Sequence, residues 1–116
     1  MSQKSYDNKN SLYLIPTPIG NLDDITLRAI NILKKVDVLF CEDTRITGML
    51  LSKLEIKKKL ISCNNINEEV VRNKVIEFLN DGQEVGLVTD RGTPIISDPG
   101  YKTVQAVIEH GYNVIG

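Results

Sequence analysis

Five short apolar runs punctuate the chain, at Leu12 to Ile15, Val38 to Cys41, Lys59 to Ser62, Val85 to Thr89 and Asn113 to Ile115, each bounded by turn-forming residues. Runs of this length, rich in Val, Ile and Leu, predict buried β-strands. Between them the apolar positions change to helical spacing. Ile25, Ala29, Ile32, Leu33 and Val36 form one face of a helix that Asp24 or Thr26 can cap. A shorter helix is expected over Thr44 to Leu54. The next is clearly bounded: Asn67 is placed to cap it, Glu68 and Glu69 suit its positive end, Val71, Val75, Phe78 and Leu79 form its stripe, and Gly82 stops it. The last opens at Asp98-Pro99, turns Val104, Val107 and Ile108 inward, and closes at His110-Gly111. His110 reads as a helix-terminal residue, not a catalyst.

Strands and helices alternating at roughly 25-residue intervals predict βαβ units, an α/β fold with a parallel five-stranded sheet flanked by helices. Residues 1–11 lack periodicity and read as a flexible tail, leaving residues 12–116 as one α/β domain. In such sheets ligands bind beyond the carboxyl ends of the strands, so the loops at Pro16–Asp24, Glu42–Thr47, Cys63–Asn67 and Asp90–Gly100 open on one edge, where function belongs.

Composition narrows the field. The 116 residues carry 14 Lys plus Arg against 15 Asp plus Glu, a net charge of -1, so bulk electrostatics give no case for nucleic-acid binding and an RNA ligand needs a local patch. The only basic cluster is Lys53, Lys57, Lys58 and Lys59, which reads either as a solvated loop or as a phosphate contact. No apolar run approaches the roughly 18 residues of a membrane span, and residues 1–10 lack the apolar core of a signal peptide, so a cytoplasmic protein is expected. Cys41 and Cys63 form no CxxC pair and read as buried reduced thiols, with no disulfide and no metal site.

The loops carry the candidate chemistry. Pro16-Thr17-Pro18-Ile19-Gly20-Asn21 is a rigid rim ending in a glycine that permits close approach; it is not a GxGxxG fingerprint, and no phosphate-binding P-loop occurs. Cys41-Glu42-Asp43-Thr44-Arg45 places two acids, a hydroxyl and a guanidinium directly after a buried strand. They are either a reactive cluster or a helix cap with Arg45 in solvent. Thr89 to Gly100 contains several glycine and proline breaks, and such a path presents backbone donors and acceptors to a small polar ligand; an ordinary ordered connection is the alternative.

Taken together, the stretch Leu12 to Ala29, the tetrad Glu42-Asp43-Thr44-Arg45, and Asp90 followed by Gly92-Thr93-Pro94 and Ser97-Asp98-Pro99-Gly100-Tyr101 resemble the ribosomal RNA small subunit methyltransferase I branch of the tetrapyrrole methylase family. The likeness runs from Leu12 to the end of the chain. It implies an S-adenosylmethionine-dependent enzyme that methylates the ribose 2′-hydroxyl of a cytidine in small-subunit (16S) rRNA of the ribosome, usually as a homodimer. It also implies a second α/β domain absent from this chain, with the cofactor in the cleft between the two, so the chain is expected to be the amino-terminal half and inactive alone. By the same resemblance, Pro18, Gly20, Asp90, Gly92, Thr93, Pro94 and Asp98 are the expected cofactor-binding residues. Arg91 stands where the family usually has a small residue, and of the pattern around Cys63 to Glu68 only Asn67 and Glu68 agree.

Transfer of a methyl group from a sulfonium is an in-line displacement in which orientation dominates, while a carboxylate is the natural base for the departing hydroxyl proton. Glu42 and Asp43 are the candidate bases, and Arg45 is the candidate for steering a phosphate. Two alternatives stay open: a methylase of a tetrapyrrole or other small molecule, and a non-catalytic α/β binding or dimerisation module.

Overall fold

The computed structural model describes residues 10–17, 22–64, 66–89 and 98–116. Five strands, β1 (Ser11–Pro16), β2 (Val38–Cys41), β3 (Lys59–Ser62), β4 (Val85–Thr89) and β5 (Asn113–Ile115), alternate with four helices, α1 (Leu27–Lys35), α2 (Thr44–Lys53), α3 (Glu68–Asn80) and α4 (Asp98–Glu109). They form one sheet in the order β3-β2-β4-β1-β5 with every pairing parallel. The α/β expectation holds, strand for strand.

The central strands β1, β2 and β4 are buried on both faces, the edge strands β3 and β5 only partly, and the alternation sorts the side chains into two cores. Leu12, Leu14, Val38, Phe40, Val85 and Leu87 face α3 and α4, where Val71, Val75, Leu79 and Val107 meet them. Tyr13, Ile15, Leu39, Cys41 and Val88 face α1 and α2, where Ala29, Leu33, Leu50 and Leu51 meet them. The connections through α1 and α2 step one way along the strand order, and those through α3 and α4 step back. One crossover hand then requires the two helix pairs to lie on opposite faces, as the two cores show.

Several boundaries are set by local chemistry that the apolar pattern does not carry. Ser11 is not tail: it is buried and pairs with Asn113, while the Asn10 side chain donates to the Leu79 carbonyl at 2.8 Å. A turn of 3-10 helix at Leu22–Asp24 precedes α1, whose cap is Thr26; its hydroxyl accepts from the Ala29 N–H at 3.1 Å, so Asp24 does not serve. Asn67 stands at the N-cap of α3 without a capping side-chain bond. Its side chain instead accepts from the Asn64 N–H at 2.8 Å and donates to the Ser62 carbonyl at 3.0 Å, closing the loop that leaves β3. Asx side chains that bond their own loop are lost to capping. Gly82 follows α3 at φ 88°, the left-handed stop expected of glycine. At the end of α4 the His110 Nδ1 lies 2.8 Å from the Ala106 carbonyl, in keeping with a terminal role.

Candidate functional site

The carboxyl ends of β1 and β4 lie side by side. The β1–β4 ladder runs to the pair Pro16↔Thr89. One residue further, the Thr17 N–H and the Thr17 hydroxyl both donate to the Thr89 carbonyl, at 2.8 and 2.9 Å. Pro16 has no N–H, but its peptide nitrogen turns away from β4, so the β1–β4 ladder loses no bond there. Thr17 and Thr89 are both buried, so the joint is sealed from water.

β2 lies on the other side of β4, and its exit carries the acidic tetrad. The connection from β4 leads to the α4 face, whereas those from β1 and β2 lead to the opposite face. Neighbouring strands whose connections diverge in this way leave a crevice at the carboxyl edge, where α/β sheets take their ligands. The two strands that lead into family motifs, β1 and β4, thus end side by side at that edge.

The three candidates for the chemistry differ in what they do there. Asp43 is the N-cap of α2: its carboxylate accepts from the backbone N–H of Arg45 at 2.9 Å and of Ile46 at 3.4 Å. The Arg45 guanidinium also reaches it at 3.4 Å. These bonds, with the Arg45 side chain contributing most and its backbone N–H next, hold the Asp43 carboxyl below its ordinary range. Arg45 is otherwise turned to solvent, its side chain 89% exposed. Glu42 is exposed at the strand end. Of the expected cofactor residues, Pro18, Gly20, Asp90, Gly92, Thr93 and Pro94 lie outside the described residues, as does Arg91. Asp98 opens α4.

The basic cluster does not form a patch. Lys53 pairs with Asp23. The Lys58 ammonium donates to the carbonyls of Lys34 at 2.8 Å and Val36 at 2.6 Å, closing the carboxyl end of α1. Lys59 lies over the Phe78 ring, 5.5 Å from its centre. Lys57 is the member left exposed without such a role. An open groove of about 620 Å³ beside these lysines, lined by Gly48, Leu51, Glu55, Ile56 and Leu60, sits where α2 returns to the start of β3. That is the amino edge of the sheet, opposite to the motif-bearing loops.

Both thiols are buried, as expected. They face opposite cores across the sheet, Cys41 toward α1 and α2 and Cys63 toward α3 and α4. Burial, reinforced by the negative charge of Glu42, pushes the Cys63 thiol up to about 11, which leaves it protonated and unreactive. No group of three or more metal-ligating side chains occurs among the described residues, and no helix there is long and apolar enough to cross a membrane.

The Thr17 joint is the feature the sequence did not single out. A threonine between two prolines at a strand exit was its only signal.

Comparison with known proteins agrees with this geometry. Ribosomal RNA small subunit methyltransferase I of Borrelia garinii subsp. bavariensis is 50% identical over 103 residues, covering 89% of this chain and 46% of the relative. The protein of the same name from Halalkalibacterium halodurans is 46% identical over 117 residues, covering 98% of this chain and 40% of the relative. The chain thus spans less than half the length of these relatives. Among solved structures, uroporphyrin-III-C-methyltransferase from Thermus thermophilus superimposes with a TM-score of 0.71 at 19% identity, over 91% of this chain and 46% of that one, which shows a shared fold. Residues 11–115 match the family Tetrapyrrole (Corrin/Porphyrin) Methylases. With that match spanning nearly the whole α/β unit and the motif-bearing strands meeting at its carboxyl edge, the chain belongs to the tetrapyrrole methylase family.

Proposed function

We propose that this chain is the amino-terminal, donor-binding half of an S-adenosylmethionine-dependent methyltransferase acting on a cytidine ribose 2′-hydroxyl of small-subunit rRNA. The substrate class rests on the identity to proteins named as ribosomal RNA small subunit methyltransferases. The observation that carries the site is the Thr17–Thr89 joint, which sets the exits of β1 and β4 together at a sealed edge with Glu42 one strand away. The chemistry of the donor set suits such a cofactor: glycine and proline-rich stretches offer backbone donors and acceptors to its adenosine and amino-acid ends, and a carboxylate waits nearby. Pro18 and Gly20 from the first stretch, with Asp90, Gly92, Thr93, Pro94 and Asp98 from the fourth, would hold it. When bound, the cofactor supplies an electrophilic methyl group.

The remaining work falls to the residues after β2. A base needs an accessible carboxylate that is not already spent on other bonds. Asp43 is spent, on the α2 cap and on Arg45, which makes it a weak proton acceptor and a structural anchor. Glu42, exposed beside it, is the base in this reading, and the exposed Arg45 guanidinium meets a backbone phosphate. The full-length protein works as a homodimer on the ribosomal subunit in the cytoplasm, where its substrate is.

The test is methyl transfer by the full-length protein to small ribosomal subunits lacking the modification. Glu42→Gln should lower kcat by about 10²-fold or more, the usual weight of a general base, with donor affinity unchanged. Arg45→Ala should raise the KM for RNA. Unmethylated ribose with wild-type protein would refute the assignment, and transfer to porphyrin precursors instead would place the chain with the small-molecule methylases.

A further inference from the structure

Thr17 does more than continue a strand. In a parallel ladder each carbonyl normally receives one N–H, yet the Thr89 carbonyl receives two donors from a single residue, the Thr17 N–H at 2.8 Å and its hydroxyl at 2.9 Å. Both lone pairs are then occupied, and the last peptide of β4 is held in one plane. Threonine is stiff about its first side-chain torsion, so a hydroxyl bound at one end also fixes the backbone that carries it. Thr17 is 4% exposed and Thr89 5%, so water does not compete for these bonds.

Two features make this joint matter beyond strand pairing. The backbone of residue 16 faces away from β4, so beyond Ile15 the β1 backbone donates to β4 only through the Thr17 N–H. β2 does not reinforce this end of β4, because their ladder ends at Phe40↔Leu87. The carboxyl end of β4 therefore projects past the β2 ladder and is met by β1 through Thr17.

We propose that Thr17 is a positioning residue for the methyl donor: its side-chain hydroxyl, bound to the Thr89 carbonyl, sets the spacing at which the chain leaves β1 and β4. The proposal rests on the donor-binding reading above and assigns Thr17 no contact with the donor. A binding edge assembled from two strand exits is only as precise as their separation, and displacements of about 1 Å are enough to weaken such sites severely.

The split between stability and affinity separates this role from an ordinary core contact. Thr17→Val keeps the shape and the backbone N–H bond, so the Thr89 carbonyl retains one donor and no buried donor is orphaned. The full-length protein and its Thr17→Val and Thr17→Ser variants are to be titrated calorimetrically with S-adenosylmethionine and S-adenosylhomocysteine, and melted without ligand. Thr17→Val should weaken binding of both by about tenfold, the weight of one orienting hydrogen bond, while kcat at saturating donor stays within about twofold. Its ligand-free melting midpoint should stay within a few degrees of wild type, and Thr17→Ser should recover most of the affinity. Should Thr17→Val not fold, Thr17→Ala, which removes the hydroxyl without adding a methyl, is read in its place. A hydroxyl-free variant that binds as wild type does, or a serine variant as weak as the valine, overturns the proposal and leaves the donor-binding reading standing. Wild-type protein without affinity for either ligand removes both.

Discussion

Gly86 gives the sharpest test of how the two faces of the sheet are packed. It lies in β4 on the face toward α1, and a Cβ placed on it comes within 2.6 Å of Leu39 Cδ2, 2.9 Å of Ile15 Cδ1 and 3.4 Å of Val36 Cγ2. Carbon atoms sit comfortably at about 3.5–4.0 Å, so Gly86→Ala requires two terminal methyls to retreat by roughly half to one ångström. Leu39, Ile15 and Val36 are all fully buried, and a close-packed interior offers no room for that retreat. Overpacking of this kind costs about 1–3 kcal/mol. The alanine recovers about 0.5–1 kcal/mol of the backbone entropy that glycine loses in a strand. The net expectation is a loss of about 1–2 kcal/mol, or about 5–10 °C in Tm for a domain of this size. Urea unfolding followed by circular dichroism should show a lower midpoint with an unchanged slope. Leu39→Val removes the nearest methyl, so the double variant should be more stable than the sum of the two single changes predicts. A Gly86→Ala protein at or above the wild-type midpoint, or strict additivity in the double variant, refutes the packing argument.

Two further outcomes follow from local chemistry. Asp43→Asn keeps a capping oxygen but removes the charge that Arg45 meets. Because the folded-state carboxyl is held below its ordinary value of 3.8, the advantage of wild type over this variant is present above that pH. It is lost as the pH falls through the lowered value, and urea midpoints of the two proteins at neutral and acidic pH check this. Glu55 closes α2 in the left-handed region at φ 59°, with its N–H bonded to the Ser52 carbonyl and the Ile56 N–H to that of Leu51, the Schellman arrangement in which glycine is preferred. Glu55→Gly should raise stability by about 0.5–1 kcal/mol in calorimetric melts, and a lower Tm would show that the glutamate side chain outweighs the backbone strain.

Much of this architecture is written along the chain. The runs at Val38–Cys41 and Val85–Thr89 match their strands residue for residue, because a strand buried on both faces must be largely apolar, and Lys59–Ser62 matches the partly exposed edge strand β3. The amphipathic stripe of Val71, Val75 and Leu79 is the buried face of α3 for the same reason: one period of 3.6 residues sorts core from solvent. Helix and strand alternation then leaves a parallel sheet, so the topology class was identifiable before any coordinates. The roles of individual polar side chains were not. Asn67 and Asp43 looked alike as caps, yet Asp43 caps α2 while Asn67 is taken by the loop after β3; which backbone group lies within 3 Å is a property of the turn, not of the residue. Four lysines that read as a possible phosphate patch were dispersed because neighbouring positions on a strand point to opposite faces: Lys58 reaches α1 while Lys59 reaches Phe78 of α3.

Hydrophobic periodicity by itself determined the element types and the α/β class, since burial demands are local and repeat along the chain. Only the tertiary structure decided the strand order, and with it the neighbours of β4. Thr17 and Thr89 stand 72 residues apart and meet because β4 inserts between β2 and β1. No local pattern encodes a hydrogen bond across that separation; it forms because two helices on each face bring the strands home in one order.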